Sequence, residues 1–181
     1  MKKINVNYEK MYYGFPVILI SFYDKNGVPN VTTLSSSYTL KDMVVLGFSS
    51  KGYAINQIKE VRDFVINIPD SSLRKEVSFC GTKSGHEIQK FDAVNLTPVK
   101  SLIINAPIIE ECPIAIECTL TDIIENDAYK GITNILGTIK GRLISNEYLN
   151  VDDRLNFSKF DNLLYFGDGV SKGYGYMKNE L

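Results

Sequence analysis

The sequence predicts a mainly β protein, a largely antiparallel barrel with a few short helices, and three features carry that prediction. About six strand-like runs are separated by turn signals, only short helical stretches fall between them, and strand and helix never alternate in the regular way a doubly wound sheet requires. The 181 residues fit one domain, residues 1–181, and a hydrophobic fraction of 44% supplies one continuous core. No repeat, low-complexity block or linker divides the chain.

Tyr8, Met11, Tyr12, Tyr13 and Phe15 form an aromatic lead-in to Pro16. Val17 to Tyr23 is then a near-continuous apolar run, the pattern of a strand buried on both faces. Asp24-Lys25-Asn26-Gly27 supplies an Asn-Gly turn, so a hairpin is expected there. From Asn30 to Leu40 the chain is β-branched enough for a strand, yet Thr32, Thr33, Ser35, Ser36 and Ser37 put hydroxyls on both faces. One face can look into a polar ligand pocket; a solvent-facing edge strand is the competing reading.

Met43 to Ser49 is another apolar strand, followed by Ser49-Ser50-Lys51-Gly52 and a short helix over Tyr53 to Arg62 with Ile55, Ile58 and Val61 on one face. A strand that feeds Ser, Lys and Gly into a helix start can form an anion site, because first-turn N–H groups, the helix dipole and a lysine converge. An ordinary serine cap with a solvated lysine is the plainer alternative. Asp63-Phe64-Val65-Ile66-Asn67-Ile68 is a compact strand ended by Pro69, and Asp70-Ser71-Ser72 caps a second short helix through Leu73, Val77 and Phe79 or Cys80.

That helix delivers the chain to Phe79-Cys-Gly-Thr-Lys-Ser-Gly-His-Glu-Ile-Gln-Lys-Phe91, the stretch that reads most like a binding loop. Gly81 and Gly85 allow close backbone approach, and Lys83, Ser84, His86 and Lys90 offer donors suited to an anion. A solvated connection with ordinary turn residues would look similar. Beyond it, Leu96, Val99, Leu102 and Ile104 suggest extended structure. Pro113 to Ile124 alternates as a half-buried strand, Glu125-Asn126-Asp127 turns the chain, and Thr133 to Ile144 returns, with Gly137 and Gly141 allowing a bend or a close contact. The aromatic, glycine-punctuated tail from Phe157 to Tyr176 suits docking on the body or on a second subunit.

Several function classes are disfavoured by composition. With 20 basic against 21 acidic residues and a net charge of -1, no overall field draws a polyanion, so no nucleic-acid partner is expected. No apolar run is long enough to cross a bilayer and the first residues lack a signal-peptide core, which leads to an expected cytoplasmic protein without a membrane partner. Cys80, Cys112 and Cys118 match neither a zinc knuckle nor a Cys-x-x-Cys pair. His86 is the sole histidine, so no multi-histidine metal site can form within one chain. No Gly-x-Ser-x-Gly elbow accompanies it to suggest a hydrolase.

Taken together and in order, Gly27-Val28-Pro29-Asn30-Val31 with its Ser/Thr strand, Ser49-Ser50-Lys51 before a helix, Asp63 through Pro69, and Cys80 through Phe91 resemble the flavoredoxin branch of the flavin reductase-like, FMN-binding split-barrel proteins. Glu111-Cys112-Pro113 through Cys118 and the strand Ile135-Leu136-Gly137-Thr138-Ile139 extend the similarity over nearly the whole chain. The resemblance implies an FMN-binding split β-barrel, a homodimer, and FMN near the subunit interface. It implies that Thr33, Ser35 and Ser36 contact the ring edge and ribityl chain, and that Ser49, Ser50, Lys51 and Asn56 lie by the phosphate. Ser84, Gly85 and Lys90 would complete the pocket. The family often has threonine where Ala54 stands and commonly aspartate where Gln89 stands.

An FMN-dependent oxidoreductase is the activity that follows, a flavin reductase or flavoredoxin passing reducing equivalents from NAD(P)H or a protein donor through FMN. A non-enzymatic FMN binder or sensor of the same fold is the alternative, and a small barrel acting as an interaction module is a third reading. The residue pattern agrees: a cationic helix start, a hydroxyl-lined strand and aromatic residues match a phosphate, a ribityl chain and a flat ring. Hydride and electron transfer belong to the flavin itself, so no acid–base pair is needed, and none is visible.

Overall fold

The apolar run after Pro16 becomes strand β2 (Ile18–Tyr23), and the core is divided by its two faces. In the computed structural model, which describes residues 1–176, Ile18, Ile20 and Phe22 point to one buried cluster while Val17 and Leu19 point to another. Each is at most 4% exposed, so each such side chain contributes about 1.5–3 kcal/mol of burial. Burial on both faces is why the run carries no polar alternation.

The remaining strands are β1 (Tyr12–Pro16), β3 (Pro29–Leu34), β4 (Ser37–Leu40), β5 (Met43–Ser49), β6 (Asp63–Ile68), β7 (Pro98–Lys100) and β8 (Pro107–Ile109). They are followed by β9 (Ile114–Glu125), β10 (Ile132–Ile144), β11 (Leu163–Gly167) and β12 (Lys172–Tyr176), with helices α1 (Tyr53–Val61) and α2 (Arg74–Thr82) between β5 and β7. Seven strands form one antiparallel sheet in the order β3-β2-β6-β9-β10-β5-β4. Its two edge strands, β3 and β4, are consecutive in sequence and separated only by Ser35 and Ser36. Two residues reach no further than about 7 Å, so the sheet has to curl until its edges meet. The Gly47 N–H donates to the Ser36 carbonyl at 2.9 Å and fixes that corner.

Asn30–Leu40 is therefore two strands broken at Ser35-Ser36, where the sequence suggested one. The break lets one segment pair with β2 on one side of the barrel and β5 on the other. Phe22, Phe48, Phe64, Leu46, Leu120 and Ile135 fill the barrel, and Ile55 and Ile58 of α1 pack against them. Outside, Val77 and Cys80 of α2, with Leu73 just before it, pack in one cluster with Leu19 of β2 and Val31 of β3. The β7–β8 hairpin lays Ala106 over Val65 and Ala115.

Register along the β9–β10 pair shifts at Leu136/Gly137 and again at Ile139/Gly141, so the long hairpin bends with the barrel wall. Both glycines sit where a side chain has no room. A Cβ on Gly137 would stand 3.0 Å from Phe64 and from Val44, and one on Gly141 would stand 2.1 Å from the Glu117 Oε2. The tail docks as the sequence suggested: β11 pairs with β1 and β12 in a separate three-stranded sheet, and Leu163 is buried beside Val17, whose N–H it binds at 2.9 Å. This second sheet stands opposite the barrel corner and forms one wall of the site.

Candidate functional site

The corner at Ser35-Ser36 opens on a two-lobed cleft. The larger lobe, about 720 Å³, has a barrel wall that includes Thr33, Ser35, Ser36, Gly47, Ser49 and Asn134. Its facing wall comes from the three-stranded sheet and α2, with Tyr12, Tyr165, Tyr174, Lys10, Lys172, Arg74 and Ser78. The smaller lobe, about 250 Å³, lies between β3, the start of α1 and the segment after α2, lined by Asn30, Thr32, Gly52, Tyr53, Ala54, Lys83, Ser84, Gly85 and Lys90 among others. Thr33, Leu34, Phe48 and Ser49 line both lobes, which therefore adjoin.

Polar groups in the smaller lobe differ in how well they are satisfied. Asn67, a buried amide elsewhere in the barrel, donates to the Leu19 carbonyl and Ser21 Oγ and accepts from Ile109 N–H. Asn30 is equally buried, at 1% exposure; its Oδ1 accepts from Val31 N–H at 2.8 Å, but its Nδ2 has no hydrogen-bond partner among the described residues. Leaving a buried donor unpaired costs about 1–3 kcal/mol, so its persistence beside a cavity points to a ligand acceptor.

Lys90 is 3% exposed and donates from Nζ to the Cys80 carbonyl at 2.7 Å, tying the segment after α2 to the helix end. Burial pushes its pKa below the usual lysine value, while the neighbouring Cys80 acts to raise it. The Cys80 thiol is pushed up to about 11, chiefly by burial and despite Lys90. An ammonium held in so dry a place gains from an anion, and Lys83 adds a second cation to the lining. The start of α1 contributes as well: Gly52 makes no side-chain cap, no acid sits in the first turn, and Gly52, Tyr53 and Ala54 line the lobe.

The glycines of the opening stretch serve the protein's own packing. Gly81 is helical, since α2 runs to Thr82, and a Cβ there would meet Thr33 at 3.2 Å. A Cβ on Gly85 would stand 2.5 Å from the Tyr53 ring. Tyr53 is held in turn by Asp24, whose Oδ2 accepts its hydroxyl at 2.9 Å, and the His86 ring lies edge-on to it at 4.9 Å. Asp24 Oδ1 also accepts from Asn26 and Val28 N–H, closing the Asn-Gly turn.

The sequence-predicted site residues thus fall into four groups. Thr33, Ser35, Ser36 and Ser49 line the larger lobe, and Ser84, Gly85 and Lys90 join Thr33 and Ser49 in the smaller. The Thr33 hydroxyl is already committed, donating to the Val77 carbonyl at 2.6 Å. Ser50 faces a separate cleft of about 390 Å³ with Glu125, Asp127 and Lys130, where its Oγ accepts from Thr133. Lys51 and Asn56 are exposed and line none of these three clefts.

Asn30, Asn134, Arg74 and the tyrosine wall escape sequence reasoning. Arg74 did leave a signal, because a cation as the first residue of a helix opposes the macrodipole. Asn30 left a weaker one, a polar residue at the buried start of a strand.

The architecture is that of a split β-barrel, shared with solved flavin-binding proteins. A flavoredoxin of Desulfovibrio vulgaris (Miyazaki F) superposes with a TM-score of 0.88 at 26% identity, covering 100% of this chain and 96% of that one. An FMN-binding protein from Thermus thermophilus superposes at 0.80 with 18% identity, over 100% and 97% of the two chains. In sequence, the uncharacterized protein YdfE of Bacillus subtilis (strain 168) is 29% identical over 170 residues, 86% of this chain and 82% of that protein. The flavin reductase like domain matches residues 11–170. The chain belongs to that family. No helix among the described residues is long and apolar enough to cross a membrane.

Proposed function

We propose that the protein is an FMN-dependent oxidoreductase of flavin reductase or flavoredoxin type, passing reducing equivalents from NAD(P)H or a protein donor. The observation that carries this reading is the unpaired Asn30 Nδ2 in a lobe that the buried Lys90 also lines, adjoining a larger hydroxyl-lined one. FMN has the matching parts: an anionic phosphate, a polar ribityl chain and a flat ring. The similarity to a flavoredoxin, at 26% identity over the whole chain, supports the same reading.

In this account Asn30 Nδ2, Lys90 Nζ and the first-turn N–H groups of α1 hold the phosphate. Ser84 and Gly85 flank it, and Ser35, Ser36 and Ser49 lie along the passage to the larger lobe. Ala54 places a methyl group where the family that the sequence resembles often has a threonine hydroxyl, so Asn30 carries more of the phosphate contact. Bound FMN supplies the hydride and electron chemistry; the chain binds, orients and desolvates. Tyr12, Tyr165 and Tyr174 exclude water from the larger lobe and leave room for a second molecule.

Exposed Met11, Tyr13, Leu102, Ile103, Phe166 and Tyr176 support the expected homodimer, and three unbridged, buried thiols accord with a cytoplasmic setting. Lys51 and Asn56 enter the site only if a second subunit or loop movement brings them to it. Steady-state oxidation of NADH or NADPH by the flavin-loaded protein tests the enzymatic part. Turnover above that of free FMN is expected, and tight FMN binding without such turnover would make the protein a flavin binder or sensor.

A further inference from the structure

We infer that the wall of the larger lobe built from Tyr12, Tyr165 and Tyr174 and rimmed by Lys10, Arg74 and Lys172 receives a second reactant that is a planar ring bearing an oxyanion group. This rests on the flavin reading, which assigns the hydroxyl-bearing wall opposite. Three cations line the lobe and no carboxylate does, although acids outnumber bases across the chain as a whole. None of the three forms an ion pair or a side-chain hydrogen bond with another described residue. Arg74 gains nothing from its own helix either, since it stands at the positive end of α2. Cations gathered without partners around a cavity focus a positive field into it.

The tyrosines supply the second half of the recognition. Tyr165 lies 4.9 Å from Tyr12 at an interplanar angle of 61° and 5.4 Å from Tyr174 at 48°, ring centre to ring centre, an aromatic cluster in which a flat molecule can stack on one ring and meet its inclined neighbours edge-on. Burial raises the pKa of Tyr165 and Tyr174, with Lys10 and Arg74 respectively drawing them back, so both phenols stay protonated and can donate at neutral pH. A neutral planar molecule would use the rings and leave the cations idle.

Benzoate and its uncharged counterpart benzamide separate these cases, titrated against the full chain with and without FMN and followed by tyrosine and flavin fluorescence. Benzoate is expected to bind at least roughly tenfold more tightly, with the preference shrinking as salt is added. Arg74→Gln and Lys172→Gln should each remove most of that preference while leaving benzamide and FMN affinity in place. NADPH against NADH forms a parallel pair: a preference there with none for benzoate would identify the oxyanion as a phosphate, within the same chemistry. Equal binding within both pairs, or a preference untouched by both substitutions, overturns the inference. Failure to bind FMN would count against the flavin reading alone, because the benzoate preference is read on the flavin-free chain as well.

Discussion

Asn30 and Lys90 are the residues on which the site turns. Asn30→Asp keeps the Oδ1 acceptor for Val31 N–H but replaces the orphan donor with an oxygen and brings negative charge to the lobe. FMN affinity should fall by about 1.5–3 kcal/mol, tenfold or more, in a titration of the folded variant. Lys90→Met preserves the buried stem but strips the Cys80 carbonyl of its partner, so it should lower both FMN affinity and the melting temperature of the flavin-free chain. Lys51→Ala, at an exposed position outside the clefts, should alter FMN retention far less. The sequence had put Lys51 and Lys90 on equal footing, because type and spacing do not reveal which lysine is dry. A loss in Lys51→Ala equal to that in Lys90→Met would bring Lys51 back into the site.

Asp24 gives a prediction in pH. Burial acts to raise its pKa, but the Val28 and Asn26 N–H groups and the Tyr53 hydroxyl outweigh that and hold it below the usual carboxylate value. With the folded pKa below the unfolded one, acid protonates the unfolded chain first. The stability Asp24 supplies is present above the ordinary carboxylate range and is lost as pH falls through the folded value. Denaturant unfolding between about pH 5 and pH 3 should show a shallower acid limb in Asp24→Asn than in the parent. Identical limbs would remove Asp24 from the account of the turn and of Tyr53.

Among elements, the β9–β10 hairpin and α2 bear the tightest constraints. Gly141→Ala drives a methyl group into the Glu117 carboxylate, and Gly137→Ala drives one against Phe64 and Val44. Each should cost about 1–3 kcal/mol of stability, measured as a shift in denaturant midpoint with unchanged slope. Those glycines were legible in the sequence as places of bending or close approach, since they interrupt an otherwise regular apolar strand. The partner was not legible, because Glu117 and Ser101 meet across a fold that period-two patterning does not describe. Similarly, the hydroxyls of Asn30–Leu40 announced an unusual strand. The split at Ser35-Ser36 into two sheet edges depends on a curl that accumulates over seven strands. The helix leading into the Phe79–Phe91 stretch was legible as far as Phe79 or Cys80; its end at Thr82 was not, because Gly81 is a poor helix former, and it packs closely on Thr33.

The whole molecule joins a barrel to a small second sheet, and the larger lobe of the cleft exists only because the two face each other. A chain read in order shows the barrel, since each strand declares itself by its own pattern. It does not show that residues near 10, 74, 134 and 172 share a cavity, which is why the tyrosine and cation wall was invisible. Global packing also makes the thiols a test of integrity. Cys80, Cys112 and Cys118 are free and buried, with pKa values raised by burial, those of Cys80 and Cys118 to about 11 and about 12. A thiol reagent at mildly alkaline pH should leave the native protein unlabelled and modify all three cysteines in denaturant.

The central claim, that this cleft holds FMN, is tested most directly by the visible spectrum and equilibrium FMN titration of the purified chain and its Asn30→Asp variant. The account predicts flavin absorption with one FMN bound per chain, and affinity at least about tenfold weaker in the variant. A colourless protein that takes up no added FMN, or a variant that binds FMN as tightly as the parent, would contradict it.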